Sequence, residues 1–294
     1  MAAPVIYKDG VEVPWVGLRL ETHLANTDDD IDRNIEHALT RKVRGFQELV
    51  GKKSGAVSIV GSGPSLKDTW HRIEDVGGDI IACNAANQFL LERGIVPDYV
   101  MFFDADPLML EFITPHEDIT YLVASRCPPK AFDMLKDCNV VCWHAAGDAH
   151  IAEILTKNGR QEPMVAGGTA AVTRAMVLAE PMGYREVHIW GGDSSFNDAG
   201  DTHIRQSTTV EKRMQIMCNG RVFWCAPWMA QQAEDFKILA PPLRDAYGMK
   251  IVVHGDGLIP HLAKTLGFDV DGESKSFQLW REAKTKARTL WHQL

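Results

Sequence analysis

No stretch of this chain strings together the roughly 18 apolar residues that would carry a helix across a membrane. The N-terminus, MAAPVIYKDGVEVPW, also lacks the charged-then-apolar order of a secretory signal. Positive charge is short too, because 31 Lys and Arg stand against 39 Asp and Glu, a net −8. Holding a nucleic-acid backbone calls for the opposite surplus, so a general nucleic-acid-binding role is excluded, although a local pocket for one nucleotide is not. Cysteine is sparse and scattered, six in 294 residues. Cys138 and Cys142 are spaced C-x3-C with no second pair following, which indicates buried free thiols rather than zinc. These absences lead us to expect a cytoplasmic protein. What remains is 45% hydrophobic and long enough to bury a full α/β core.

The most informative stretch is Ala56 to Leu66, AVSIVGSGPSL. An apolar strand ends in Gly61-Ser62-Gly63-Pro64-Ser65, where two glycines permit a tight turn and close approach by a ligand. Pro64 presets a helix start over about 65–76, whose unpaired N–H groups would suit a phosphate. The third glycine of a dinucleotide fingerprint and the Gly-Lys-Ser/Thr ending of a Walker loop are both missing.

Around this stretch the chain divides into three segments. Residues 1–54 read as an arm followed by a helix that starts at Asp28 with Thr27 as its cap. The apolar stripe of that helix runs through Ile31, Ile35, Ala38 and Leu39 to Val43, Phe46 and Leu49. Residues 55–205 alternate strands (56–60, 79–83, 98–103, 120–124, 139–143, 186–190) with helices. The strands are near-continuous apolar runs, which predicts a mostly parallel, Rossmann-like sheet covered on both faces. Residues 206–294 read as a C-terminal α/β extension with a Trp-rich piece, a helix near 228–247, a strand at 250–253 and a basic amphipathic tail. The tail could close on the body or on a second copy of the chain.

In such a sheet, ligands sit beyond the carboxyl ends of the strands. The candidate site residues fall there. Gly61, Ser62, Gly63 and Ser65 are candidates for cradling phosphate, and Asn84 offers an amide to a ribose, base or sugar. Asp104 and Asp106, as D-x-D, would hold Mg²⁺ or position a reactant, with capping of the helix at Pro107 as the plainer reading. Gly167, Gly168 and Thr169 open an Ala-rich helix and form a second candidate anion nest. Asp193 follows Gly191-Gly192, is expected at the site edge rather than buried, and is a candidate catalytic residue for proton transfer or for holding an acceptor hydroxyl. His203, in the polar loop after it, is a candidate general acid or base. Arg126 and Arg205 are candidate phosphate forks, and Trp224 and Trp228 are candidates for stacking on a ligand.

Three ordered pieces, IVGSGPSL (59–66), ACNAANQFLLERGIVPDYVMFFDADP (82–107) and GGTAAVTRAMVLAEPMGYREVHIWGGDSSF (167–196), resemble the MptE-like family. Its relatives include archaeal 6-hydroxymethylpterin diphosphokinases and motility-associated (Maf) flagellin glycosyltransferases. The segment from Asp198 to His203 is similar to the acidic-to-His element that follows. The first and third pieces also resemble bacterial sialyltransferases that use CMP-sugar donors. Gly192 stands where the family often has Gln, and Ser194-Ser195 where it has small or apolar residues. The resemblance implies a transferase that acts on a phosphate-bearing nucleotide, first of all a nucleotide-sugar-dependent glycosyltransferase. Second, it admits a Mg²⁺-dependent diphosphokinase transferring pyrophosphate from ATP to a hydroxymethylpterin-like acceptor. A non-catalytic nucleotide-binding module on the same fold is the third reading.

Overall fold

The computed structural model describes residues 5–8, 11–14, 26–204 and 213–271. Arg205 and the basic tail (272–294) lie outside the described residues. In chain order the elements are β1 (Val5–Lys8), β2 (Val11–Pro14), α1 (Asp28–Leu39), β3 (Arg44–Gly45), β4 (Ala56–Val60), α2 (Leu66–Thr69), β5 (Asp79–Cys83) and α3 (Ala86–Leu91). There follow β6 (Tyr99–Phe102), β7 (Thr120–Ala124), α4 (Pro129–Met134), β8 (Asn139–Ala145), α5 (Ile151–Lys157), β9 (Met164–Val165), α6 (Ala171–Met182) and β10 (Glu186–Trp190). The last elements are β11 (Met214–Cys218), β12 (Arg221–Cys225), α7 (Pro227–Asp245), β13 (Lys250–His254), α8 (Leu258–Thr265) and β14 (Asp269–Asp271).

The strands form a 10-stranded sheet in the order β14-β13-β10-β4-β5-β6-β7-β8-β3, with β9 beside β8. Every pairing in it is parallel. The central strands are buried almost end to end, so Val57, Ile59, Ile81, Val100, Leu122 and Val141 show no exposure at all. Helices on both faces explain why these strands carry apolar runs instead of an alternating pattern. The fold is therefore α/β with a Rossmann-like sheet. Segments 1–54, 55–205 and 206–294 all contribute strands to it. No helix among the described residues is long and apolar enough to cross a membrane.

Two expectations are corrected. The helix starting at Asp28 is closed at its N-terminus by a capping box, with the Thr27 hydroxyl accepting from the Asp30 N–H (3.2 Å), but it stops at Leu39. Beyond it, Arg44–Gly45 pairs with Val141–Cys142, and Phe46 and Leu49 are buried from a 3₁₀ turn. Their three-residue spacing suits that turn as well as a helix. The helix over 65–76 is also broken, into Leu66–Thr69 and two 3₁₀ turns, Trp70–Arg72 and Glu74–Val76. The Trp-rich piece supplies β12 of a hairpin, β11-β12, that turns at Asn219-Gly220 with both residues at positive φ. In the arm, β1 and β2 join that hairpin in a separate antiparallel sheet, β12-β11-β1-β2.

Candidate active site

The chain runs outward from β4 through β5, β6, β7 and β8, then returns along α6 to β10 on the other side of β4. Strand order reverses between β4 and β10, and at such a switch point the diverging loops leave a crevice beyond the carboxyl ends. A cavity of about 810 Å³ opens there. Of the sequence-predicted residues, Gly61, Ser62, Gly63, Asn84, Asp104, Asp106, Thr169, Asp193 and His203 line it, and so does Trp228. Ser65, Gly167, Gly168, Arg126 and Trp224 are not among its lining residues.

The glycine loop is packed more tightly than an open cradle. Gly61 N–H donates to Trp190 O (2.8 Å) and Gly63 N–H to Gly191 O (2.8 Å). The Ser65 N–H donates to Asp193 Oδ2 (2.9 Å). Pro64 has no N–H, so Ser62 alone in this loop keeps a backbone donor for a ligand. The glycines serve close approach between the β4 and β10 loops. A Cβ on Gly63 would lie 2.4 Å from Asp193 Oδ2 and 2.5 Å from Gly191 O. With α2 only four residues long, no helix dipole of consequence backs the loop. The multi-donor phosphate cradle expected over Gly61–Ser65 is thus corrected to a clasp between two loops.

The start of α6 is better placed for an anion. Residues Thr169 to Thr173 line the cavity, and Ala170 caps the helix without a side-chain hydrogen bond. The first N–H groups of a helix have no partner within it and carry its positive end. The preceding Gly167-Gly168-Thr169 is architecture. Gly167 packs on Arg174, and a Cβ on Gly168 would lie 2.5 Å from Asp235 Cβ. The Thr169 N–H and hydroxyl both donate to Asp235 Oδ2 (2.6 and 2.7 Å), so the Thr169 hydroxyl is already committed. Arg174, buried, donates to Gly168 O (2.7 Å) and Val165 O (2.7 Å). Burial lowers its pKa to about 10. Asp235 belongs to α7, so the C-terminal segment holds the entrance of α6 in place.

Asp193 is 2% exposed, which overturns its expected position at the edge. Loss of solvent raises its pKa to about 6, opposed by hydrogen bonding from Ser65. Asp104, exposed, accepts the Asp106 N–H through Oδ1 (3.1 Å). Asp106 caps the 3₁₀ helix Pro107–Phe112, its Oδ1 accepting the Leu108 N–H (2.9 Å). Each carboxylate therefore keeps one oxygen uncommitted. Among the described residues no group of three or more His, Cys, Asp or Glu stands ready to hold a metal. Two loose carboxylates still fit Mg²⁺, which keeps several waters and takes the rest of its ligands from substrate phosphates.

His203 reaches the cavity because its loop is tied down on both sides. Ile204 N–H donates to Ser62 O (2.8 Å), and Lys67 Nζ meets Asp201 Oδ2 (3.2 Å). Its Nδ1 lies 2.9 Å from the Thr202 hydroxyl, and its ring stacks on Trp228 at 5.8 Å and 14°. Arg126 is not a phosphate fork: it pairs with Asp148 (2.7 Å) and lies 4.8 Å from the Phe103 ring centroid. Two residues lining the cavity, Asn84 (φ 50°) and Ser194 (φ 49°), hold backbone conformations that side chains disfavour, as is common at functional sites. Asn84 Oδ1 is buried without a hydrogen-bond partner, an acceptor that a ligand donor would satisfy. Phe103, Met109 and Gln232 line the cavity without having stood out in the sequence, and Ser194 does so having stood out only as a departure from the family pattern. Of these, Phe103 sits at the end of a strand, a placement that points to the site.

A doubly wound parallel sheet with its crevice at the switch point defines a Rossmann-like α/β protein. The chain belongs to the MptE-like family, whose description, 6-hydroxymethylpterin diphosphokinase MptE-like, matches residues 30–199. Among solved structures it is similar to a Maf glycosyltransferase from Magnetospirillum magneticum AMB-1, at 18% identity and a TM-score of 0.59. That match covers 86% of this chain and 39% of the other, so this chain spans well under half the length of that enzyme. A mammalian sialyltransferase matches at 12% identity and a TM-score of 0.38, covering 81% of this chain and 82% of the other. No curated protein matches the chain by sequence.

Proposed function

We propose that this protein is a glycosyltransferase that takes a sugar from a nucleotide-activated donor. The observation that carries this reading is the set of groups that the crevice brings together. Asn84, Phe103, Met109 and Phe112 line it from the β5 and β6 ends, Thr169 to Thr173 from the start of α6, and His203 from the loop tied to Ser62 beyond β4. A nucleoside, a phosphate and a sugar each find a suitable group among them. The described lining residues include four carboxylates (Asp104, Asp106, Glu111, Asp193) and no Lys or Arg. Such a wall suits a donor of low charge better than a triphosphate.

In the transfer, the acceptor hydroxyl oxygen bonds to the anomeric carbon as the bond from that carbon to the donor phosphate breaks. His203 takes the hydroxyl proton, and the electron pair leaves with the phosphate, whose charge the α6 N–H groups stabilise. Asp193 acts at one remove, holding the β4 and β10 loops together. Mg²⁺, where a diphosphate takes part, would neutralise its charge, and Asp104 and Asp106 are the residues that would hold the ion.

The D-x-D pair and the family description favour a second reading, Mg²⁺-dependent pyrophosphoryl transfer from ATP to a hydroxymethylpterin-like acceptor. A thermal-shift panel of CMP-, UDP- and GDP-sugars, CMP, GDP, ATP and AMP, each with and without Mg²⁺, separates the two. A ligand at a hundred times its Kd stabilises by about 2.7 kcal/mol, a shift of several degrees. A shift with one nucleotide-sugar supports glycosyl transfer and names the donor. A Mg²⁺-dependent shift with ATP alone replaces it with the diphosphokinase. Silence across a folded sample leaves the non-catalytic module.

A further inference from the structure

We infer that Trp228 and Gln232 of α7 form a subsite for an uncharged pyranose of the acceptor, an assignment that rests on the glycosyl-transfer reading. Both residues lie beyond the family-matched span, which ends at residue 199. Four positions apart on one helix, they share a face, and both line the cavity. The Ser194 hydroxyl donates to Gln232 Oε1 (2.9 Å), which leaves the amide NH₂ end of Gln232 to donate to a ligand. Ser194 holds a positive φ of 49° in placing that hydroxyl.

The chemistry of this wall selects the occupant. A pyranose presents a C–H face to an aromatic ring and hydroxyls to amides, and Trp228 with Gln232 offers one of each. The α7 residues that line the cavity, Trp228, Met229 and Gln232, are all uncharged. The carboxylates Asp104, Asp106 and Glu111 lie instead beyond the β6 end. Position agrees with chemistry. With His203 as the base for the acceptor hydroxyl, the transferred carbon lies near its ring, which is stacked on Trp228 at 5.8 Å. The acceptor hydroxyl has to arrive at the same place, and the wall it meets is α7.

The test is saturation-transfer NMR on the full chain with methyl β-glucopyranoside, methyl β-galactopyranoside, methyl N-acetyl-β-glucosaminide and 6-hydroxymethylpterin as probes. Each is run with and without CMP, UDP or GDP, on the native protein, Trp228→Ala, Trp228→Phe and Gln232→Leu. One glycoside is expected to receive saturation on its ring C–H face. Its Kd should rise about tenfold in Trp228→Ala, stay within about threefold in Trp228→Phe, and rise in Gln232→Leu, while nucleotide binding is unchanged. Should Trp228→Ala fail to fold, Trp228→Phe and Gln232→Leu still carry the comparison. The inference is overturned if a nucleotide binds but no glycoside does, or if glycoside binding ignores all three substitutions. It is also overturned if the pterin occupies the site instead, or if Trp228→Ala abolishes nucleotide binding, which would make Trp228 a base platform. Failure of every nucleotide on the native protein, with glycoside binding intact, counts against the transferase reading alone.

Discussion

One methyl group added at Gly63 probes the clasp between the β4 and β10 loops. The Cβ of Gly63→Ala would lie 2.4 Å from Asp193 Oδ2, 2.5 Å from Gly191 O and 3.0 Å from Asp193 Cγ. Gly191 O is backbone and cannot swing aside, so the two loops must part. Overpacking of this kind costs roughly 1–3 kcal/mol. Parting also breaks the bonds from Gly63 N–H to Gly191 O and from Ser65 N–H to Asp193, at about 1 kcal/mol each. The sum is about 3–5 kcal/mol, read as a lowered urea midpoint with an unchanged slope. Gly94→Ala is the matched control. Its φ is +77° with nothing within 4 Å of the added carbon, so it bears only left-handed strain, about 1–2 kcal/mol. If Gly63→Ala costs no more than Gly94→Ala, the glycines are not there for close approach and the clasp argument is wrong.

Other outcomes follow from the same geometry. Asp193 has a native pKa near 6, raised from 3.8, so its protonated form favours the fold. Its contribution is fully present below about pH 4 and lost as pH climbs through 6, about 3 kcal/mol in all. Asp193→Asn should therefore lose less stability than the native protein between pH 4 and pH 7.5, and identical melting profiles across that range would refute the assignment. Asp235→Ala leaves the Thr169 N–H and hydroxyl without their acceptor and should cost about 2–4 kcal/mol in urea unfolding. It should also weaken nucleotide affinity, and a variant that only loses stability would uncouple α7 from the site. His203→Gln should lower turnover by about 10²–10⁴-fold with little change in melting temperature. An unimpaired rate would remove His203 from the chemistry.

The parallel core was readable because strands buried on both faces must be apolar throughout. The runs 56–60, 79–83, 120–124 and 186–190 coincide with β4, β5, β7 and β10. Spacing alone misled where apolar residues recur every third position, since Phe46 and Leu49 serve a 3₁₀ turn as readily as a helix. The antiparallel sheet was hidden because its strands are distant in sequence, although Asn219-Gly220 is a recognisable hairpin turn. At the site, the glycines and Asp193 stood out, but the contacts they make did not, and neither did Asp235. Gly63 answers to Asp193 and Gly168 to Asp235, contacts that exist only once the sheet and α7 are assembled. Single-residue chemistry identifies a carboxylate, whereas only packing shows that Asp193 is enclosed and that the Thr169 hydroxyl is already donated.

The pairing of β1 with β11 has a consequence for how the protein is made. Val5 finds its partner in Met217, so the hairpin β1-β2 leaves the ribosome long before the strand that will cover its edge exists. A two-stranded hairpin is marginal on its own, and contacts so far apart in sequence form late. During synthesis the nascent chain must carry that open edge through the making of most of the parallel sheet, a period in which another chain could pair with it. Translation speed and chaperone supply should therefore affect the yield of active protein more than its equilibrium stability would suggest.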